Sequence, residues 1–353
     1  MVIALDAMGG DHAPAMVIEG AAIARGRMPN LRFLLVGDQE RLTSLLAQYP
    51  QLRDGVEIRH AAQVIGPSDK PSQALRRSPQ SSMRLAIEAV RDGHAAGVLS
   101  AGNTGALMAL SRFVLKMQPG VDRPAMVSYF PTARGESAML DLGANVECDA
   151  RHLVQFAILG AGFARSVLGV ERPVVGLLNV GAEELKGHDE VRAAGQILRE
   201  AKFGFDFHGF VEGDDIGAGT VDVVVTDGFT GNAVLKATEG TAKLISQFLN
   251  LAFRRSWVSK LGYVLAKPAL DSLRAKLDPR QYNGALFLGL NGVVVKSHGG
   301  TDGEGFASAI SVAADMVRGD FNERIHADLD VFDHREVAAE PQGVTQIATK
   351  AAS

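Results

Sequence analysis

Short apolar runs recur along the chain, separated by longer stretches whose apolar positions repeat at helical spacing. The runs are VIAL (2–5), LRFLLV (31–36), VEIRH (56–60), AGVLS (96–100), AMVSYF (125–130), AMLDL (138–142), PVVGLL (173–178), VDVVVT (221–226) and GVVVK (292–296). Runs this short, bounded by glycine and polar residues, read as strands, most of them buried on both faces. Helical periodicity covers 14–27, 80–92, 104–117, 150–168, 189–202, 230–253 and 303–318. The alternation predicts a three-layer α/β fold, with a largely parallel sheet and helices on both faces.

Two regions depart from this rhythm. LISQFLNLAFRRSWVSKLGYVLAKPALDSLRAKL (244–277) holds two or three helical patterns with no strand between them. It predicts a helical insertion over 240–280, protruding as a pair from one α/β domain that spans 1–331. From 332 to 353 periodicity fades, and the pattern predicts a loose tail.

Composition narrows the class. The chain is 46% hydrophobic and 22% charged, enough to bury a large core. Its net charge of −4 argues against nucleic acid as a partner. The insertion runs against that balance, with a local excess of five positive charges over 254–276. Trp257, Val258, Leu261, Val264 and Leu265 share one helical face, flanked by Arg254, Arg255, Lys260 and Lys267, with Pro268 expected to end the helix. Such a helix suits an anionic membrane surface or a dimer contact. The single cysteine, Cys148, excludes an internal disulfide, and its surroundings suggest a small packed thiol. With no signal-like start and no apolar stretch of roughly 18 residues, the expectation is a cytoplasmic protein that touches membrane only peripherally.

Candidate chemistry gathers where the strands end. The ends read DAMGGDH (6–12), SAGNTGA (100–106), DLGANVE (141–147), NVGAEELKG (179–187), TDGFTGN (226–232) and KSHGG (296–300). Glycine lets a backbone turn sharply and expose N–H donors, and a following helix start favours an anion. Because ligands of parallel sheets bind at the carboxyl ends of the strands, these loops predict one rim suited to phosphate. Its candidate binding residues are Gly9, Gly10, Asp11, Asn103, Thr104, Gly105, Asn145, Asn179, Gly181, Gly228 and Gly299. Lys186 is the candidate cation, and Asn232, Asp227 and His298 are candidate catalytic groups. A phosphate-binding GxxxxGK[ST] loop and a GxSxG nucleophile elbow are both absent, and GAGFAR (160–165) falls inside a helical pattern. No spacing of ligands supports a metal, and no cofactor is expected.

Taken together, IALDAMGGDHAP, SAGNTGALMA, DLGANVE, LLNVGAEELKG, VVVTDGFTGNAVLK and VVVKSHGGTD resemble the phosphate acyltransferases of bacterial phospholipid synthesis. The resemblance runs in order from residue 3 to 302. It implies transfer of a long acyl chain from acyl carrier protein to inorganic phosphate, with the acyl phosphate passing to a membrane-bound acyltransferase. It also implies a homodimer and a fold akin to phosphotransacetylases and isopropylmalate-type dehydrogenases. Where the family's loop carries further basic residues, this chain has Ser78-Pro79-Gln80 after Arg76 and Arg77. Those two arginines, with Arg254, Arg255 and Lys260, are the candidates for an acidic carrier. Two enzymes compete with this reading: a phosphate acetyltransferase using coenzyme A, and an NAD-dependent decarboxylating dehydrogenase. A membrane scaffold without activity is the third alternative.

Overall fold

A computed structural model describes residues 1–276, 278, 280–319 and 321–339. In chain order the elements are β1 (Val2–Asp6), α1 (Ala15–Arg27), β2 (Arg32–Gly37), α2 (Gln39–Leu46), β3 (Val56–His60), α3 (Pro71–Arg77), α4 (Ser82–Arg91), β4 (Gly97–Ser100) and α5 (Thr104–Leu115). Then come β5 (Ala125–Thr132), β6 (Gly135–Leu140), α6 (Ala150–Phe163), β7 (Val174–Leu178), α7 (Asp189–Glu200), β8 (Asp206–Val211), α8 (Gly213–Ala218) and β9 (Val223–Val225). The chain continues through α9 (Gly228–Arg254), α10 (Trp257–Lys276), β10 (Ala285–Leu288), β11 (Val293–Lys296), α11 (Gly303–Arg318) and α12 (Phe321–Ala339).

The strands form one sheet in the order β3-β2-β1-β4-β11-β10-β5-β6-β9-β7-β8. Its direction changes near the middle. β1, β2, β3, β4 and β11 are parallel to one another, whereas β10 is antiparallel to both β11 and β5, and β5 is antiparallel to β6. β6, β9, β7 and β8 are again mutually parallel, and therefore run opposite to the first group. The expected α/β sheet is present, but its two parallel halves end at opposite edges. The expected three-layer arrangement survives this reversal because each half is still covered on both faces.

Apolar side chains alternate across the strands and divide the core by face. On one face, Phe156 and Phe163 of α6 pack with Phe306 and Ile310 of α11, Ile18 of α1 and Phe332 of α12. The other face carries two separate clusters. Ala74, Ile87 and Leu107 of α3, α4 and α5 cover the first half. Val234 and Leu235 of α9 pack on Met139, Leu142 and Val224 in the second. Met126 of β5 lies against both clusters.

Three local expectations change. β8 and β10 are strands that the hydrophobic pattern does not reveal, because DFHGFV carries a glycine and ALFL is only four residues long. Helix α10 continues through Pro268 to Lys276, where the pattern expects it to stop. The chain also stays helical to Ala339 rather than loosening at Phe332. Phe332 is buried, and Arg151 of α6 stacks on its ring and pairs with Asp333. Residues 340–353 of the expected tail lie outside the described residues.

Candidate active site

At the first edge, the loop after β1 closes over the ends of β4 and β11. Asp6 ends β1 fully buried and accepts a hydrogen bond of 2.7 Å from the Ser100 hydroxyl. Burial raises its pKa, opposed by hydrogen bonds from Ser100, Ser82 and the backbone. Gly9 passes so close that a Cβ would meet the Asp6 carboxylate, the Gly102 amide and Ser100. Gly10 follows at φ +107°, and the Asp11 amide bonds the Gly299 carbonyl at 2.9 Å, tying the β1 loop to the β11 loop. His298 Nδ1 accepts from the Gly300 amide, which leaves Nε2 as the protonated, donating nitrogen. Asn103 caps α5 through its carbonyl oxygen, while its amide donates to the carbonyls of Gly66, Pro67 and Asp69. Thr104 and Gly105 form the first turn of α5, where backbone N–H groups have no helical partner.

At the second edge, a buried carboxylate again organises the loops. Asp141 accepts from the amides of Met126, Gly143, Ala144 and Asn145 and from the Asn145 side chain. Desolvation nevertheless dominates and raises its pKa. Helix α9 starts hard against this loop. The Gly228 amide donates to Asn145 at 2.7 Å, and any side chain at Gly231 would collide with the Asp141 carbonyl. Asp227 caps α9, accepting from both the amide and the hydroxyl of Thr230. Its carboxylate thus initiates the helix, and among the described residues no contact joins it to Lys186.

The four asparagines expected to line a rim divide by what their amides already hold. Asn103 is spent on its cap and the 66–69 loop. Asn145 is buried, donating to Asp141 and to the Pro124 carbonyl at 2.8 Å. Asn179 donates to the Lys186 carbonyl and closes its own loop. Asn232, exposed in the second turn of α9 beside Gly143, makes no hydrogen bond among the described residues. Of the four, it is the one whose amide is wholly unengaged among the described residues.

Lys186 sits just before α7, whose N-cap is His188. Its amine lies over Gly181 and pairs with Glu183 at 2.8 Å, both side chains largely exposed. That hydrogen bond raises the lysine pKa and lowers the glutamate's. The lysine expected to receive an anion thus holds an exposed carboxylate in this structure, at the edge opposite Asp11 and His298.

A different lysine, which closes the run GVVVK at a strand end, reaches the first edge. Lys296 ends β11 level with Ser100 of β4. Its amine donates to the carbonyls of Ala101 and Ser297. It forms no ion pair among the described residues, although Asp11 and Asp6 lie close enough to act on it. Desolvation is the largest influence and brings the amine down to about 8, with Lys236 of α9 pushing the same way. Asn283 is the other residue missed. Buried, it bonds Ser297, Thr301, Gly305 and the His298 amide, fixing the β11 loop. Only a polar residue ahead of an apolar run marks it in the sequence.

Cys148 is half-buried, and burial, then the charges of Asp141 and Asp227, push its thiol up to about 12. It is a neutral packed group near neutral pH, as its surroundings in the sequence suggest. Cavities of about 400 Å³, lined by Arg27, Tyr129 and Asp315, and about 310 Å³, beside the β10–β11 turn, involve none of these strand ends.

The outer half of α9 and α10 projects as a helical pair, joined by an edge-on contact of Phe253 with Tyr263. Trp257, Val258, Leu261, Val264 and Leu265 are exposed, Trp257 by 85%. Leu244, Ile245, Phe248 and Leu251 of α9 are exposed as well. Lys260 lies over the Trp257 ring at 5.2 Å, and Arg254 and Arg255 stand at the turn. Arg76 and Arg77 occupy the last turn of α3, which packs on α5.

Comparison with known proteins places this geometry. Residues 1–324 match the family model described as fatty acid synthesis protein. A phosphate acyltransferase of Rhodospirillum centenum is 58% identical over 351 residues, covering 99% of this chain and 98% of that protein. Among solved structures, a phosphotransacetylase from Streptococcus pyogenes aligns with a TM-score of 0.60 at 14% identity, over 90% of this chain and 94% of its own. A 4-hydroxythreonine-4-phosphate dehydrogenase from Klebsiella pneumoniae aligns at 0.50 and 15% identity, over 90% and 98%. At these identities the structures show a shared fold.

Proposed function

From the premise that this chain belongs to the fatty acid synthesis protein family, alongside curated phosphate acyltransferases, we propose how it carries out its reaction. The enzyme is an acyltransferase that forms acyl phosphate for phospholipid synthesis. The donor in this reading is a long-chain acyl thioester of acyl carrier protein, and phosphate attacks it directly. A phosphate oxygen bonds to the thioester carbon, and the carbonyl electrons move onto oxygen. The tetrahedral oxyanion then collapses, breaking the C–S bond. The carrier thiolate leaves and takes a proton from water.

The observation that carries this reading is Asn232. Its amide is unengaged where α9 begins, and a donor held there can stabilise the oxyanion with little reorganisation. An acyl-cysteine route has no support, since the Cys148 thiol is neutral near pH 7. Phosphate is already anionic and a thiol near its ordinary pKa of about 8.5 leaves readily, so positioning matters more than a strong base.

In the same proposal the acidic carrier docks on Arg254, Arg255 and Lys260, with Arg76 and Arg77 as a second edge. The exposed stripe on α9 packs in a homodimer, and the Trp257–Leu265 stripe lies on anionic lipid near the downstream membrane acyltransferase. These contacts make the enzyme cytoplasmic and peripherally membrane-bound. The test combines purified protein, phosphate and palmitoyl carrier protein, following thiol release and trapping acyl phosphate as a hydroxamate. Phosphate-dependent release of both products supports the reading. Turnover only with acetyl-coenzyme A would replace it with the short-chain reaction.

A further inference from the structure

We infer that Asn283 is a positioning residue for the reaction and acts through His298, holding the β11 loop so that the imidazole presents its Nε2–H to bound substrate. The inference rests on the reaction proposed above and adds a residue to it. His298 is exposed at the end of β11, on a loop that continues with two glycines, Gly299 and Gly300. Glycine leaves such a loop many conformations, so its direction has to come from contacts outside it. Asn283 supplies them from the approach to β10. Its Oδ1 accepts from the His298 amide at 2.9 Å. Its Nδ2 donates to the Ser297 hydroxyl at 2.9 Å and to the Gly305 carbonyl at 2.8 Å, with Thr301 Oγ1 farther away at 3.4 Å. One buried amide thus grips the loop and the first turn of α11 together.

Asn283 itself has little slack. Gly284 follows at φ +121°, and a Cβ there would meet the Ala309 backbone of α11 at 3.0 Å. On the other side, Tyr282 packs edge-on against Tyr129 of β5 at 5.7 Å, and Arg280 bonds Asp302, the cap of α11, at 3.2 Å. The amide is therefore tied to β5 and α11 before it touches the loop. Within the loop, the Gly300 amide donates to His298 Nδ1 at 3.2 Å, which puts the proton of a neutral ring on Nε2. Asn283 fixes the backbone of His298 and Gly300 fixes its ring. The exposed Nε2–H has no acceptor among the described residues, and a donor aimed in advance is the kind that lowers a barrier.

A double-mutant cycle with palmitoyl carrier protein and phosphate tests this. Asn283→Ala and His298→Ala should each lower kcat by about tenfold to a hundredfold, the cost of a misplaced group. The carrier KM should stay within about twofold in both, since docking is untouched. If Asn283 acts through His298, the double variant should fall no more than about twofold below the slower single. Asn283→Asp keeps the volume and the acceptor for the His298 amide, so it should recover part of the loss. It takes the place of alanine in the cycle if that variant does not fold. A merely supporting role lowers the melting temperature and leaves kcat intact, or gives losses that multiply in the double variant. Either result overturns the assignment, as does wild-type kcat in folded His298→Ala. Wild-type protein that releases thiol independently of phosphate overturns the underlying reaction instead.

Discussion

Asn145 and Asn232 carry the same side chain near a glycine at adjoining strand ends, and their surroundings give them different work. Replacing Asn232 by alanine should lower kcat by roughly 10²- to 10³-fold, the usual loss for an oxyanion donor, with the melting temperature unchanged. Asn145→Ala leaves the Asp141 carboxylate and the Pro124 carbonyl short of a donor. That costs about 1–3 kcal/mol and should appear first as a lower melting temperature. Calorimetry beside steady-state kinetics separates the two. Lys296 gives a stability signal of known sign. Its folded pKa of about 8 lies below the unfolded value of 10.5. The charged form is therefore penalised in full below about pH 8, and the penalty is relieved as pH rises toward the unfolded value. Lys296→Met should melt higher than wild type at pH 7, by an amount that shrinks through this window. A constant or reversed difference would mean that packing, not charge, decides.

At the scale of elements, the long helices are legible because many residues vote for one period. The insertion is the clearest case: its stripe of apolar residues and its basic flanks both appear on the protruding α9–α10 pair. β8 escapes notice because a glycine interrupts its apolar pattern, and β10 because it offers only four residues. Pro268 misleads for another reason, since a proline within a helix removes one hydrogen bond but need not end it. The α10 stripe yields an element-level prediction. Leu261→Glu puts a charge in the middle of its apolar face, which is solvent-exposed in the folded chain. Flotation with anionic vesicles should weaken markedly while circular dichroism stays unchanged. Flotation equal to wild type would remove lipid from the role of this helix.

For the whole molecule, charge distribution matters more than its total. The segment 254–276 is strongly basic within a chain of net charge −4, so the helical pair is a positive projection on a negative body. An acidic carrier approaching such a surface is steered to the projection. The double variant Arg254→Glu, Arg255→Glu should raise the carrier KM several-fold and depend less on salt. Reaction with a short acyl thioester should hardly change. Equal losses with both donors would place the defect in folding or in the chemistry. The direction reversal acts at the same scale: residues that look like one series of strand ends become two groups at opposite edges.

The sequence by itself determines the alternation of strands and helices, the insertion, and the glycine-rich loops that resemble phosphate acyltransferases. All of these are local: they follow from periodicity, from residue type and from short motifs. It also places Asn232, Asp227 and His298 at strand ends, but not what each side chain holds. Only the tertiary structure decides that Asn103, Asn145 and Asn179 each hold a neighbour, that Lys186 is paired with Glu183, and that Lys296 is half-buried and, among the described residues, without an ion pair. Each depends on neighbours distant in the chain, or on how a loop closes. Strand direction is equally non-local, because a hydrophobic run reads the same whichever way its neighbour runs. The amine of Lys296 is the sharpest instance: its sequence context is a strand end, while its chemistry comes from Asp6, Asp11 and Lys236, which only folding brings to it.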